Sequence, residues 1–327
     1  MRAVIVREPG GPEQLSLGEA PVPRHADREL LVKVKATALN RADVWQRQGK
    51  YPPPPGASPI LGLEMAGEVV EVGSECRGWQ PGDPVFGLLP GGGYAEYAVI
   101  PGDLAMKIPR GFSFEEGAAI AEVFLTAYQG LFWLGDLKRG ERVLIHAGAS
   151  GVGTAAIQLA KQAGAFVIVT AGSEEKRNTC RNLGAQVALD YKSGPFAPGI
   201  QEATEGKGAD VVLDFVGASY WEQNLNSLAV DGRWILISTL GGTRVKEVDL
   251  RSLMAKRIHL KATTLRSRSP QYKADLTREF ALRALPLFQE GKLKPVIDRT
   301  FSWKNVSDAH RYMEENRNIG KIVLTID

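Results

Sequence analysis

Residues 142–173 constrain the fold of this chain more than any other stretch, because they combine two apolar runs with a glycine-rich turn and a helical pattern. Residues 142–146 predict a buried strand, and glycines at 148, 151 and 153 follow where the chain turns into a helix over about 152–163. A second apolar run then ends at Ser173. This succession predicts one unit of a doubly wound parallel sheet.

The glycine turn is suited to binding an anion. Backbone N–H groups at the start of a helix can approach a phosphate closely there, and the helix dipole favours its negative charge. The common dinucleotide fingerprint has glycines at its first, third and sixth positions, whereas Ser150 stands third from Gly148 and an extra glycine stands at 151. The flanking strand and helix favour a dinucleotide site. The alternative is that the glycines only let helix and strand pack closely.

The end of the second strand indicates which dinucleotide binds. An NAD site places an acid about 20 residues beyond the first glycine, and this chain has none at 170–173. Ser173, Lys176 and Arg177 instead offer a hydroxyl and cations to a 2′-phosphate. We therefore predict NADPH as the cofactor. The alternative, favoured for Arg177 alone, is that these cations belong to a solvated helix face beside two glutamates.

Composition excludes several classes of protein. The chain has 327 residues, enough for two cores, and its net charge of +3 is too slight to predict nucleic acid as the main partner. Cys76 and Cys180 fall in different predicted domains, which favours a reducing compartment over a disulfide framework. The opening residues, MRAVIVREPGG, lack the apolar core of a signal peptide. Residues 143–160 carry no formal charge, but they include glycines, a histidine and a glutamine, so we expect a soluble, cytoplasmic protein with no membrane partner.

The pattern along the chain predicts two domains. Residues 1–110 form short apolar or alternating runs broken by glycine and proline, which is typical of β structure, with one short helix over about 41–48. Tyr51 and four prolines follow that helix. The predicted strands of the second domain, 142–146, 166–170, 186–189, 209–214, 232–237 and 258–263, alternate with helices over 152–163, 174–183, 198–204, 219–228 and 249–256. After about residue 265 we predict a long helix (270–288), a strand (296–301), a helix (304–315) and a strand (319–326) that return to the first domain.

Four strings carry a resemblance that spans the whole chain. They are LNRADVWQRQGKYPPPPGASPILGLEMAGEVVEVG (39–73), PGDPVFGLLPGGGYAEYAVIP (81–101), HAGASGVGTAAIQLAK (146–161) and ENRNIGKIVL (315–324). The chain resembles the medium-chain dehydrogenase/reductase superfamily and, within it, the zinc-free quinone oxidoreductases, nearest to the p53-inducible subgroup and its bacterial relatives. The resemblance implies a GroES-like β-rich catalytic domain (1–121 and 266–327) and a Rossmann doubly wound parallel sheet that binds NADP(H) (122–265).

The resemblance also shows which residues are replaced. Zinc alcohol dehydrogenases of this superfamily have a Cys where this chain has Asn40, and a His where it has Leu63 before Glu64. The four histidines are scattered without ligand spacing, so we expect no metal site. Hydride transfer to a ketone builds an alkoxide that needs a Lewis acid or a strong proton donor, whereas a quinone or an α,β-unsaturated carbonyl spreads the charge. We expect Glu64 to brace the β-rich domain.

The resemblance implies a set of site residues. Tyr51 is expected to hydrogen-bond the acceptor carbonyl or the nicotinamide region, although it could instead be a loop tyrosine packed on the prolines. Asp43 could line the substrate side or serve its own helix, and Tyr191 could be an ordinary strand-end aromatic. The implied catalytic residues are Tyr51 and Ser150, and the implied cofactor residues are Asn40, Thr126, Ser150, Gly151, Val152, Gly153, Gly172, Ser173, Lys176, Tyr191, Val216, Ser238, Leu240, Leu265 and Asn318.

Three functions remain open at this point. The first is an NADPH-dependent quinone oxidoreductase that transfers hydride without a metal. The second is a 2-alkenal or enoyl reductase, and the third is a non-catalytic, crystallin-like NADPH-binding protein. The resemblance also implies a homodimer joined by edge strands near the sixth strand of the cofactor domain, since pairing would cover an exposed sheet edge.

Overall fold

A computed structural model describes residues 1–327, and the chain divides into two compact units. The first unit comprises Met1–Leu125 and Arg266–Asp327, and the second comprises Thr126–Leu265. Cys76 and Cys180 both carry free thiols. The doubly wound α/β class that the sequence predicts is confirmed.

The first segment of the chain builds most of a β-rich unit. Its strands are β1 (Arg2–Val6), β2 (Leu15–Glu19), β3 (Glu29–Ala38), β4 (Glu64–Val72), β5 (Pro84–Leu88), β6 (Tyr97–Pro101) and β7 (Ala105–Lys107). Its helices are α1 (Arg41–Arg47), α2 (Phe114–Ala118) and α3 (Ala121–Tyr128), and α3 continues as a π-helical turn over Gln129–Leu134. Single 3₁₀ turns cover Pro12–Gln14 and Gly102–Leu104.

The second unit alternates strand and helix. Its strands are β8 (Arg142–Ile145), β9 (Phe166–Ala171), β10 (Val187–Asp190), β11 (Ala209–Asp214), β12 (Leu228–Leu236) and β13 (His259–Ala262). Its helices are α4 (Gly151–Gln162), α5 (Glu174–Leu183), α6 (Ala197–Ala203), α7 (Trp221–Ser227) and α8 (Leu250–Ala255), with a 3₁₀ turn over Ala218–Tyr220. The chain then returns to the first unit through α9 (Pro270–Arg283), α10 (Leu285–Gln289), β14 (Ile297–Ser302), a 3₁₀ turn (Trp303–Asn305), α11 (Val306–Glu314) and β15 (Lys321–Thr325).

The six strands of the second unit form one fully parallel sheet in the order β10-β9-β8-β11-β12-β13. The order reverses direction between β8 and β11, which is the topological switch point where doubly wound sheets bind ligands at the carboxyl ends of their strands. Leu144, Ile168, Val212 and Trp234 pack as a buried core cluster of this unit. Parallel strands are covered on both faces, which explains why these strands read as continuous apolar runs in the sequence.

The β-rich unit holds a sheet in the order β14-β15-β3-β4-β5-β7, with β6 also paired to β3. β15 runs antiparallel to β3 with Val323 opposite Ala38, and β4 runs antiparallel to β3 with Ala36 opposite Ala66. This register brings the end of β3 beside the starts of β4 and β15. Residues that lie far apart in the chain therefore meet at one edge of the sheet.

Four sequence predictions of secondary structure differ from the structure. The helix predicted over 270–288 is broken at Ala284, because Pro286 lacks an N–H and its ring cannot pack against the preceding turn. The apolar run 94–100 predicts a strand, but β6 begins three residues later at Tyr97, since Tyr94 and Ala95 pair with β1. The three-residue strand β7 was not predicted, because it is too short to show alternation. β12 begins at Leu228, four residues before its predicted start.

Two apolar stretches bear on the membrane question. The uncharged run 143–160 is divided between β8 and α4, so it is not one helix. Phe114–Leu134 is long and apolar enough to cross a membrane by length and composition, but 78% of its apolar window is buried within the fold. The core helix of a globular domain has the same property.

Candidate functional site

The glycine turn after β8 is held tight by backbone contacts. Ala147 adopts a left-handed conformation with φ 47°, which is strained for a residue with a Cβ. A Cβ added to Gly153 would lie 2.4 Å from the carbonyl oxygen of Ala147, and one added to Gly148 would lie 2.8 Å from Cβ of Val169. Both positions therefore require glycine.

Ser150 is the N-cap of α4. Its Oγ accepts a hydrogen bond of 3.0 Å from the Gly153 N–H, so the hydroxyl proton remains available to a ligand. The N–H groups of Gly151 and Val152 point out of the helix start, where the helix dipole is positive. The structure thus places Ser150, Gly151, Val152 and Gly153 together in an arrangement that fits a pyrophosphate.

The end of β9 is a second polar surface near the turn. Ser173 caps α5, with Oγ accepting from the Lys176 N–H at 3.3 Å. A Cβ on Gly172 would lie 2.6 Å from the hydroxyl of Tyr191 and 2.9 Å from Cε of Lys192, so these two side chains fold back across the strand end. A hydroxyl, a phenol and the Lys192 side chain lie at this strand end, and residues 170–173 include no carboxylate.

Two basic residues near the end of β9, Arg177 and Lys192, make different contacts. Arg177 pairs with Glu174 at 2.6 Å and with Asp190 at 2.8 Å, which agrees with its assignment to the helix surface. Lys192 lies against Gly172, and sequence reasoning missed it. Its signal in the sequence was its position directly after Tyr191 at the end of the third strand.

A strand-end network of His146, Thr170, Asp214, Asn224 and Trp234 lies buried under the glycine turn. His146 bonds Thr170 Oγ1 at 2.9 Å through Nδ1 and Asn224 Oδ1 at 2.6 Å through Nε2. The Asp214 carboxylate accepts from the side chains of Asn224 and Trp234. Burial lowers the pKa of His146, so its ring is held neutral. The network joins the carboxyl ends of β8, β9, β11 and β12, and His146 serves as a core residue in it.

The same carboxylate shapes the loop that follows β11. Asp214 Oδ1 accepts the N–H groups of Val216 at 2.7 Å and Gly217 at 3.0 Å. The loop after β12 folds over it, with the Leu240 N–H donating to Phe215 O at 3.1 Å. Val216, Ser238 and Leu240 thereby lie together beyond the strand ends, and Leu240 is exposed. Thr126, in α3, is buried, and Leu265 is the last residue of this unit.

In the β-rich unit, Asn40, Glu64 and Lys321 form a buried triad. Lys321 Nζ donates to Glu64 Oε1 at 2.7 Å, to Asn40 Oδ1 at 2.8 Å and to Leu39 O at 2.8 Å. The Asn40 amide nitrogen donates to Glu64 Oε1 at 2.9 Å and to Ala38 O at 3.3 Å. Every polar atom of the Asn40 amide is thus engaged inside the protein.

Glu64 also accepts the Glu122 N–H at 2.8 Å, so it braces this unit as the sequence suggests. The resemblance implies that Asn40 and Leu63 stand where zinc alcohol dehydrogenases have Cys and His, and here the Lys321 ammonium group neutralises the Glu64 carboxylate. No group of three or more His, Cys, Asp or Glu side chains in the chain could hold a metal ion.

A buried chain of polar groups extends from Asp43. Its carboxylate accepts the N–H groups of Asn40 at 2.8 Å and Gly62 at 3.1 Å, and burial raises its pKa to about 6. Tyr94 lies between Asp43 and His310, and Arg47 reaches the other ring nitrogen of His310. Burial, with the Arg47 charge beside it, lowers the pKa of His310 to about 3, so this ring is neutral. Asp43 is fully buried and serves its own helix and the Gly62 turn, so it does not line a substrate surface.

Tyr51 lies half-buried in the loop between α1 and β4. The guanidinium carbon of Arg266 lies 5.2 Å from the centroid of its ring. Burial raises the pKa of the Tyr51 phenol, while the nearby guanidinium lowers it. Tyr51 is therefore protonated at neutral pH and available as a hydrogen-bond donor. Asn318, in contrast, donates to Gly320 O at 2.8 Å within its own turn.

Sequence reasoning missed Lys321, Arg47, Tyr94 and His310 as members of the buried network. A lysine at the start of the apolar run KIVLT was a usable signal, because burying an ammonium requires a partner. A weaker signal of the buried network was the pair Asp43 and Arg47, which stand four residues apart on α1. Their partners come from distant segments, which no local pattern indicates.

A doubly wound sheet with a glycine turn, together with a β-rich unit of this topology, defines an oxidoreductase of the dehydrogenase/reductase class. Residues 26–110 match the family of the alcohol dehydrogenase GroES-like domain, and residues 151–281 match the zinc-binding dehydrogenase family. The quinone oxidoreductase of Lama guanicoe is 32% identical over 100% of this chain and 98% of its own length.

Two solved structures extend the comparison. The Escherichia coli quinone oxidoreductase complexed with NADPH has a TM-score of 0.89 and 30% identity, with 100% of both chains covered. The CurK enoyl reductase has a TM-score of 0.88 and 30% identity, with 100% of this chain and 99% of that chain covered. The chain therefore belongs to the medium-chain dehydrogenase/reductase superfamily, among the relatives of the quinone oxidoreductases, and this sequence prediction is confirmed.

We predict that Lys321→Met lowers the free energy of unfolding by about 3–5 kcal/mol, because it leaves the Glu64 carboxylate buried and uncompensated. Urea unfolding at neutral pH measures the change. Lys292→Met is the matched control, since Lys292 pairs with Glu290 at 2.7 Å on the exposed surface and its loss costs under about 1 kcal/mol.

The double variant Lys321→Met with Glu64→Leu removes both charges, and we expect it to regain much of the lost stability. A Lys321→Met variant as stable as the Lys292→Met control would contradict the assignment of the triad as an essential buried ion pair.

Proposed function

We propose that this protein is an NADPH-dependent quinone oxidoreductase that transfers hydride to a quinone without a metal ion. The observation that carries the proposal is the Asn40–Glu64–Lys321 triad. Residues that would ligate zinc in the alcohol dehydrogenases are replaced by an amide and a leucine, and the remaining carboxylate is paired with an ammonium group. These side chains provide no ligand set for a Lewis acid, so the acceptor must accommodate the transferred charge itself.

A quinone meets that requirement. Hydride addition to a quinone yields an aromatic hydroquinone anion whose charge is delocalised, so hydrogen-bond donors suffice to stabilise it. The protonated Tyr51 hydroxyl is the donor that we assign to the acceptor oxygen. Glu64 needs no role as a base, because its carboxylate is already engaged by Lys321, Asn40 and the Glu122 N–H.

NADPH supplies the hydride when it is bound. The start of α4, with Ser150, Gly151, Val152 and Gly153, fits its pyrophosphate, because a helix N-terminus presents unpaired N–H groups and a positive dipole end. Ser173, Lys176, Tyr191 and Lys192 fit the adenosine 2′-phosphate, because they offer a hydroxyl, a phenol and cations. The Escherichia coli quinone oxidoreductase was solved with NADPH, which supports this choice of cofactor.

An enoyl or 2-alkenal reductase is the second candidate. Hydride addition to the β-carbon of an enone gives an enolate, whose delocalised charge makes the same demand on the site as a hydroquinone anion. The similarity to the CurK enoyl reductase favours this candidate. The chain is 30% identical to that enzyme and also 30% identical to the Escherichia coli quinone oxidoreductase. Quinone reduction remains the first choice because the full-length relatives include the guanaco quinone oxidoreductase.

We predict that the purified protein oxidises NADPH with ortho- and para-quinones at a higher kcat/KM than with 2-alkenals or enoyl thioesters. Absorbance of the reduced nicotinamide follows each reaction, with Tyr51→Phe as the variant that removes the donor hydroxyl. A preference for enones would establish the second candidate. NADPH binding by calorimetry without turnover of any acceptor would instead identify a non-catalytic NADPH-binding protein.

We predict that Ser173→Asp reverses the cofactor preference. Aspartate keeps the helix cap of α5 but brings a carboxylate to the place of the 2′-phosphate, so the KM for NADPH should rise by about 100-fold while that for NADH falls. Ser269→Asp, the same change at the N-cap of α9, is the control for the substitution itself. Equal NADPH binding by Ser173→Asp and wild type would place the adenosine phosphate elsewhere.

We also propose that the protein forms a homodimer through β13, the edge strand of the second unit. All four residues of β13 are exposed, and Leu260 (43% exposed) lies on the same unit as exposed Val230 (55%) and Met254 (77%). An unpaired edge with apolar neighbours is a pairing site for a second copy.

We predict that Leu260→Lys weakens this dimer, because a charge on the edge strand opposes strand pairing. Sedimentation velocity over a range of concentrations measures the change. Leu282→Lys, at an exposed leucine (76%) of the other unit, should leave the association unchanged. A wild-type protein that stays monomeric at micromolar concentration refutes the proposal.

A further inference from the structure

Arg266 is an unusual residue in the β-rich unit, because it is a guanidinium that is only 9% exposed and forms no ion pair. Its Nε and Nη2 both donate to the carbonyl oxygen of Pro90, at 2.9 Å and 2.6 Å, and Nη2 also donates to Gln46 Oε1 at 2.8 Å. The remaining nitrogen, Nη1, is buried and has no hydrogen-bond partner. A buried cation held by neutral acceptors is costly, so a stabilising contribution must come from elsewhere.

The ring of Tyr51 provides that contribution. Its centroid lies 5.2 Å from the guanidinium carbon, within the range of a cation–π contact, and such contacts are strongest when they are removed from water. Gln46 connects the same two segments, since its Nε2 donates to Pro59 O in the loop that carries Tyr51. The guanidinium is thus fixed on one side to the Pro90 carbonyl and faces the Tyr51 ring on the other.

We propose that Arg266 is a positioning residue for Tyr51, which fixes the phenol ring in place and makes its hydroxyl a stronger hydrogen-bond donor to the acceptor oxygen. This inference rests on the proposed role of Tyr51 in quinone reduction. A cation against a phenol ring stabilises negative charge on the ring system, and the donated hydrogen bond strengthens as the acceptor oxygen becomes anionic. The nearby guanidinium lowers the pKa of the phenol against the opposing effect of burial.

The geometry requires arginine rather than any cation. Only the planar guanidinium group of arginine can donate two N–H groups to one carbonyl oxygen while the same group also contacts an aromatic ring. Lysine would keep the positive charge but would lose both the paired hydrogen bonds to the Pro90 carbonyl and the contact of a planar group with the Tyr51 ring. A purely structural role for Arg266 predicts instead that its substitution changes folding stability and leaves the properties of Tyr51 unaltered.

A double-mutant cycle tests the inference kinetically. We expect Arg266→Lys to lower kcat with quinone by about tenfold, while the KM for NADPH stays within about twofold of wild type. In the Tyr51→Phe background the same substitution should change kcat by less than about twofold, because the hydroxyl on which it acts is gone. Arg268→Lys is the matched control, since Arg268, two residues after Arg266, has its guanidinium carbon 4.8 Å from the centroid of the Tyr272 ring. Additive effects in the cycle would overturn the inference.

A spectroscopic measurement tests it without quinone turnover. With 3-fluorotyrosine placed at position 51, ¹⁹F NMR follows the titration of that phenol alone. We expect Arg266→Gln to shift the titration to higher pH and Arg268→Gln to leave it unchanged. An unchanged titration in Arg266→Gln would overturn the inference.

Two further results separate the possible failures. If Tyr51→Phe retains full quinone activity, the proposed role of Tyr51 fails, whereas the NMR titration still decides whether Arg266 acts on the ring. If the Arg266 variants do not fold, Gln46→Leu serves instead, since it removes one anchor of the guanidinium and keeps its charge. We expect that variant to show a smaller loss of kcat and a smaller titration shift in the same directions, and no change in either would count against the inference.

Discussion

The buried ion pair between Lys321 and Glu64 is the interaction on which the β-rich unit depends. It joins the start of β15 to the start of β4, and Asn40, between β3 and α1, completes it. Because 257 residues separate the two charges along the chain, the C-terminal strand must return to the sheet before either charge is compensated. Neither group can be left alone in the interior, since removing one partner costs several kcal/mol. The ion pair therefore forms only when β3, β4 and β15 are in their native register, and that requires the whole β-rich unit to be assembled.

The second unit uses a carboxylate in a comparable way. Asp214 accepts two backbone N–H groups from the loop after β11 and two side-chain donors from α7 and β12. The neutral ring of His146 extends this network to Thr170 at the end of β9. Loops at the carboxyl ends of a parallel sheet carry the ligand contacts, and here they are held by buried hydrogen bonds. The cofactor surface is consequently built on a rigid base of strand ends.

The sequence predicted most of the second unit because its signals are local. Continuous apolar runs and the glycine turn act within a few residues of their own position, and the parallel sheet follows from alternation of strand and helix. The same reasoning failed at 270–288, where Pro286 ends a helix that the apolar periodicity continued through. It also failed for β7, since three residues give no period to detect. Asn40 stays a predicted cofactor residue, and the structure adds that its amide is engaged by Glu64 and Lys321.

The sequence by itself determined the class of fold, the turn that suits a dinucleotide and the absence of an acid at the end of β9, since each depends on residue types and their spacing. Only the tertiary structure decided which polar groups meet: Lys321 with Glu64, His146 with Asn224, and Arg266 with Tyr51. The physical reason is that partners of buried charges are chosen by strand register and loop packing. Those contacts join segments far apart in the chain, and no local periodicity encodes them.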